Sequence, residues 1–199
     1  MKNTIITISR EFGSGGRTIG KQVAAKLNIP CYDEELINKI AQESGLDANF
    51  IKQTNEQSEQ NWLFNAFANH LYHGNNIQDY VWLIQCDIIT KVANEGPCVI
   101  VGRCADYVLK DKSDLLKVFI HADINQRAKR VVEVYGETDE KPLKRVKEKD
   151  KKRAAYYRYY TENDFGEVHN YDVALDSGKI GIDRCVEIIA DLYQDMTKK

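Results

Sequence analysis

Two periods of apolar spacing alternate along the chain. Ile5-Ile6-Thr7-Ile8 is an almost unbroken β-branched run that stops at Ser9. A glycine-rich bend follows, and Ile19, Val23, Ala24 and Leu27 then recur at helical spacing, so the pattern predicts strand, loop, helix. Cys31-Tyr32-Asp33 reads as a short strand feeding a helix over Glu34 to Ser44, with Ile37, Ile40 and Ala41 on its inner face. Val81, Ile84, Ile88, Ile89 and Val92 predict a long amphipathic helix from Ile77 to Glu95, closed by Gly96-Pro97. Cys98 to Gly102 is continuously apolar and Leu115 to His121 largely so, as expected of strands buried on both faces of a parallel sheet. Asn170 to Asp176 supplies the last short strand. A closing helix runs from Ile182 to Met196 with Val186, Ile189, Ala190 and Tyr193 turned inward.

Strands alternating with helices imply an α/β fold, a three-layer sandwich in which a parallel sheet is covered on both faces. No repeat, low-complexity tract or linker divides the chain, so residues 1–199 are expected to form one domain. One polar, Asn- and Gln-rich stretch, about 47–76, carries Trp62, Phe64, Phe67 and Tyr72 and predicts short helices projecting from the sheet. A second, about 136–165, is dominated by Lys and Arg and runs on into Tyr156, Tyr157, Tyr159 and Tyr160.

Composition narrows the function classes without choosing among them. The chain is 43% hydrophobic and 29% charged with a net charge of −2, which gives no whole-protein attraction to nucleic acid or to an anionic membrane. Five scattered cysteines without a C-x-x-C pair point to small core residues in a reducing compartment. The first strand begins at once and no run is long enough to span a bilayer, so a cytoplasmic protein is expected. His70 and His73 share a helical face but lack a carboxylate or cysteine to complete a metal set.

The chemistry concentrates after the first strand. Gly13, Gly15 and Gly16 leave the backbone open to an anion, and a helix starting near Gly16 adds its unpaired N–H groups and dipole. Gly13, Ser14, Gly15, Gly16, Arg17 and Thr18 therefore read as a phosphate-binding P-loop. Arg17 stands for the usual lysine, Thr18 supplies the Mg²⁺-binding hydroxyl, and Glu11 sits where the first glycine belongs. A second register from Gly15 to Lys21 is literal but ends in Gln22, so Arg17 is preferred to Lys21 as the phosphate cation. Ligands in such sheets gather beyond the strands' carboxyl ends, where Asp33 and Arg103 fall. Asp33 serves equally well as a helix cap.

The residues Ile-Thr-Ile-Ser…Gly-Ser-Gly-Gly-Arg, Tyr32-Asp33, Val99-Ile100-Val101-Gly102-Arg103, Val118-Phe119-Ile120-His121-Ala122 with Arg127 to Arg130, and Asp172…Leu175-Asp176 resemble the cytidylate kinase-like P-loop proteins. The resemblance covers most of the chain, and it is weak between Asp47 and Asn76. It implies a five-stranded parallel core, ATP and Mg²⁺ as cofactors, and a basic helical lid. It implies acceptor-phosphate binding by Arg103, with Asp33 and Asp106 beside the acceptor, lid arginines at Arg153 and Arg158, and Arg127 and Arg130 bordering the nucleotide. Three departures stand out: Arg17 for the loop lysine, Cys104 for the family's aspartate after Gly-Arg, and Glu34 for a serine.

The resulting expectation is an ATP-dependent phosphotransferase with a nucleoside monophosphate or similar small anion as acceptor and Arg17, Arg153 and Arg158 as its catalytic groups. Neither nucleic acid nor membrane is expected as a partner, and self-association is left open. A nucleotide-binding regulator without turnover and an RNA-binding protein using the basic, tyrosine-rich stretch are the alternatives. A GTPase lacks its Asn-Lys-x-Asp signature.

Overall fold

A computed structural model describes residues 4–33, 36, 77–136 and 141–198. The strands are β1 (Ile5–Arg10), β2 (Cys31–Tyr32), β3 (Cys98–Val101), β4 (Leu115–His121) and β5 (Val173–Asp176). They form one sheet in the order β2-β3-β1-β4-β5, with every neighbouring pair parallel. β1 is central: Ile8 lies level with Val101 on one side and Val118 on the other.

The helices are α1 (Gly16–Leu27), α2 (Ile77–Glu95), α3 (Ala105–Val108), α4 (Ile124–Glu133), α5 (Pro142–Thr161), α6 (Ser177–Ile180) and α7 (Ile182–Thr197). Successive β1 residues point to opposite faces, and all from Ile5 to Ser9 are buried, Thr7 and Ser9 included. Ile5 joins Ile100 and Leu109 beneath Val81, Ile88 and Ile89 of α2. Ile6 and Ile8 join Val99, Val101, Val118 and Ile120 beneath Ile19 and Val23 of α1 and Val186 and Ile189 of α7. Each such isoleucine contributes roughly 1.5–3 kcal/mol by leaving water, so the sheet's centre anchors both layers.

The five-stranded parallel core agrees with expectation; several boundaries differ. β1 extends through Arg10, because its ladder with β4 continues to the Arg10–Ile120 pair. β5 is shorter than expected. Asp172 donates its N–H to Lys117 O (2.8 Å) and accepts from Lys117 N through Oδ2 (2.8 Å), so its carboxylate replaces a strand carbonyl. Val168–Asn170 is a short 3₁₀ turn. The short helices α3 and α6 were not foreseen, being too brief to carry a period. Of the expected helix from Glu34 to Ser44 the described part includes Leu36, which is helical and fully buried. The stretch 47–76, with His70 and His73, lies outside the described residues. Among the described residues no helix is long and apolar enough to cross a membrane.

α1 packs on the sheet through Gly20, where an added Cβ would lie 2.6 Å from Val101 Cγ2 and 3.4 Å from Ile8 Cδ1. Gly20→Val should therefore overpack this contact and lower unfolding stability by about 1–3 kcal/mol, read as a lower urea midpoint at unchanged slope.

Candidate functional site: the loop after β1 and the cavity after β3

The backbone from Glu11 to Thr18 turns through two left-handed residues, Gly13 (φ 80°) and Gly15 (φ 82°). Neither position can carry a side chain. A Cβ on Gly13 would meet Arg127 O at 2.7 Å, and one on Gly15 would meet Ile182 Cδ1 at 2.5 Å. Gly15 precedes α1 without giving it a side-chain cap, so the helix's first N–H groups depend on something else. Arg130 lies against the same spot, with its Cζ and Nε 3.3 Å from the Gly15 Cβ position. Its Nε is buried without a hydrogen-bond partner among the described residues. Uncapped N–H groups, an unpartnered buried guanidinium N–H and a side-chain-free loop together fit a phosphate chain.

Protein contacts hold this loop in place. Ser14 Oγ donates to Glu11 O (2.9 Å) and Ser177 Oγ donates to Ser14 O (2.6 Å), tying the bend to itself and to α6. Glu11, which stands where a glycine was expected, accepts from Ala122 N at 3.1 Å and pairs with Arg127 at 3.2 Å. Arg127 is buried. It donates to Ala122 O (2.9 Å), to Phe12 O (3.0 Å) and to Asp150 Oδ2 (2.5 Å), while Asp150 Oδ1 accepts from Phe12 N (2.7 Å). Arg127 was expected to border the nucleotide; in this structure its donors go to the protein, and it locks the loop, the end of β4 and α5 together.

Beyond β3 the backbone makes an unusual turn. Gly102 (φ 75°), Arg103 (φ 61°) and Cys104 (φ 53°) are all left-handed. Gln85 Nε2 donates to Arg103 O (2.9 Å) and helps fix the bend. The turn opens on a cavity of about 120 Å³ lined by Arg10, Arg103, Lys149, Lys152 and Arg153, with Phe12, Tyr156 and Phe165 among its apolar walls. Arg153 also donates to Arg10 O (3.1 Å) and stacks over Phe12 at 5.3 Å. Burial pushes the Cys104 thiol well above its ordinary pKa, so it lies there as an uncharged wall.

Asp106 sits beneath the cavity, 3% exposed, and accepts from Ser9 Oγ (3.2 Å) and Tyr157 Oη (2.7 Å). It was expected beside the acceptor; its carboxylate instead joins β1 to α5. Burial raises its pKa, against the lowering effect of the Tyr157 and Ser9 hydrogen bonds.

The remaining expected residues separate into two groups. Thr18 is half-buried in the first turn of α1, and Arg17, half-exposed beside it, forms an ion pair with Asp33 just beyond β2. Lys21 is exposed, well past the loop. Arg103 and Arg153 share the cavity. Arg158 does not join them: it is exposed and paired with Asp164 at 3.1 Å. The tyrosines that could have stacked on RNA bases are largely engaged internally. Tyr160 stacks on Trp82 at 4.4 Å, Tyr156 packs edge-on to both, and Tyr157 is buried. Among the described residues no cluster of three or more His, Cys, Asp or Glu could hold a metal ion.

Sequence reasoning missed Arg10, Lys149 and Lys152. The last two were legible: Lys149, Lys152, Arg153, Tyr156 and Tyr157 recur at helical spacing, which puts them on one face of α5.

A five-stranded parallel sheet with a glycine loop between β1 and α1 and a basic helix over its carboxyl edge has the fold of the P-loop kinases. Shikimate kinase from Acinetobacter baumannii shares it, with a TM-score of 0.57 at 12% identity over 98% of this chain and 96% of that one. An uncharacterized protein from Eubacterium ventriosum is more similar, with a TM-score of 0.72 at 29% identity over 96% of this chain and 98% of that one. The model of the cytidylate kinase-like family matches residues 5–179, and the chain belongs to that family. Cytidylate kinase from Methanothrix thermoacetophila is 27% identical over 176 residues, 88% of this chain and 89% of its own.

Two outcomes follow from the buried groups. Arg127→Met leaves Glu11 and Asp150 without their buried cation and should cost about 3 kcal/mol, seen in urea melts without any nucleotide. For Asp106 the folded pKa lies above the unfolded one, so its contribution to stability is present below the ordinary aspartate range and is lost as pH rises through the folded value. Asp106→Asn should therefore gain stability relative to the parent as pH rises from about 4; parallel stability–pH curves for the two proteins would refute this.

Proposed function

We propose that the chain is an ATP-dependent phosphotransferase acting on a nucleoside monophosphate of the cytidylate type or a similar small anion. The observation that carries this reading is the adjacency of two anion-binding surfaces on neighbouring strands. The loop after β1 fits a phosphate chain, and the cationic cavity after β3 lies next to it, with Gly102 N bonded to Ile8 O at 2.9 Å. The names of the family and of the archaeal relative agree with it.

Phosphoryl transfer asks chiefly for alignment and for positive charge around the moving group. The backbone N–H groups from Gly13 to Thr18, with Arg130, would hold the donor's phosphates, and Thr18 would supply a hydroxyl to Mg²⁺. ATP, when bound, provides the phosphoryl group. Arg17 exchanges its ion pair with Asp33 for phosphate oxygens, Arg103 holds the acceptor, and Arg153 neutralises charge between the two. Arg158 needs a lid rearrangement to take part, because it faces Asp164. No general base is required where the accepting oxygen already belongs to a phosphate.

Release of ADP from Mg·ATP, measured across a panel of nucleoside monophosphates, tests the proposal. CMP or a related monophosphate should give turnover. Arg103→Ala should lower kcat/KM for the acceptor about 10²–10³-fold with little change in ATP affinity. Arg17→Ala should show a comparable loss in kcat, whereas Lys21→Ala stays near the parent. ATP binding without turnover on any acceptor would instead identify a nucleotide-binding regulator.

A further inference from the structure

Arg10 was singled out neither by the loop motif nor by the family resemblance. It ends β1, directly after a run of buried residues, and two glycines from separate elements make room for it. A Cβ on Gly16 would lie 2.5 Å from Arg10 Cβ and 2.8 Å from its Cγ. A Cβ on Gly102 would lie 1.9 Å from Arg10 Nη1 and 2.8 Å from Cζ. The stem therefore passes beneath the first residue of α1, and the guanidinium reaches the turn after β3, beside Arg103. The same side chain accounts for the lack of a Cβ at both glycines.

The surroundings of that guanidinium are unfavourable to a cation. Burial, then Arg153, lower its pKa to about 9; Arg103 and Arg17 act in the same direction and Asp33 opposes them. The cavity it lines with Arg103, Lys149, Lys152 and Arg153 has no carboxylate among its lining residues. A cation drawn largely out of water, with Asp33 opposing several neighbours of its own sign, is costly. A singly charged carboxylate would balance little of this, whereas a phosphomonoester dianion would balance much more and could accept the arginine fork through two oxygens.

We propose that Arg10 is a substrate-binding residue, its guanidinium forming the floor of a site for the phosphomonoester dianion of the acceptor between Gly102 and the cations of α5. This deepens the kinase reading and rests on it only for the word acceptor. The anion site itself is a separate claim about the cavity.

Tungstate, a phosphate-shaped dianion located by its anomalous scattering, tests that claim in soaked crystals of the whole chain. The expected result is tungstate in the cavity against Arg10 and Arg103, and its loss from the cavity in Arg10→Met while any tungstate in the Gly13–Thr18 loop persists. Arg10→Lys keeps the charge without the planar fork and should show weakened or displaced cavity density; it decides the matter if Arg10→Met does not fold. Tungstate confined to the loop in the parent, or undiminished in the cavity of either variant, overturns the proposal. Cavity tungstate in a protein that yields no ADP with any acceptor would sink the kinase reading and leave this site standing. Turnover with an empty cavity would do the reverse.

Discussion

The Arg127 guanidinium is the contact on which the working edge of this molecule depends. The loop after β1 has little side-chain packing of its own, since Gly13 and Gly15 must stay bare for the backbone to pass so close to Arg127 and Ile182. Something else must specify its shape. Arg127 does so by donating to Phe12 O and Ala122 O while pairing with Glu11 and Asp150, so the loop, the end of β4 and α5 are fixed by one planar group. Arginine suits the task because its five donors lie in one rigid plane. Glu11, at odds with a simple glycine-loop pattern, has a structural reason: it supplies part of the countercharge that makes a buried Arg127 tolerable.

The same arrangement ties α5 to the loop after β1. Asp150 reaches Phe12 and Arg127, while Lys149, Lys152 and Arg153, on the neighbouring face, line the cavity after β3. The helix is thus joined to the loop through carboxylate contacts and offers its cations to the other surface. This explains how a chain with a net charge of −2 can hold a strongly cationic pocket. The positive charge is concentrated by the period of one helix, and the balancing carboxylates lie elsewhere.

Much of the fold was legible because burial on both faces leaves a plain trace. Cys98 to Val101 is apolar whichever way it points, Ile5 to Ile8 and Leu115 to Ile120 are broken only at Thr7 and Lys117, and the helices between them repeat with a period near 3.6. The bend after β1 was legible because backbone freedom decides it, as at the left-handed Gly13 and Gly15. The candidate site was obscure where partners lie far apart in sequence. Nothing in the sequence joins Arg127 to Asp150 and Glu11, or Asp106 to Tyr157, the partners that the fold gives them. Arg158 stands away from the cavity for a local reason, since Asp164, six residues on, offers it an exposed partner.

The turn at Gly102-Arg103-Cys104 shows how the edge of the cavity is set by the fold itself. A left-handed conformation costs a residue with a Cβ roughly 1–2 kcal/mol, and here two such residues follow one another. Strain of this size persists only where the surroundings over-determine it. Those surroundings are identifiable: Gln85 of α2 holds the Arg103 carbonyl, Gly102 N continues the β1 ladder through Ile8 O, and α3 begins at once with Asp106 bonded to Ser9 and Tyr157. A relaxed turn would carry the Arg103 backbone away from the cavity and draw Asp106 from its two donors. The strain is thus stored where it holds the Arg103 backbone at the cavity, and the ordering cost of the turn is met during folding.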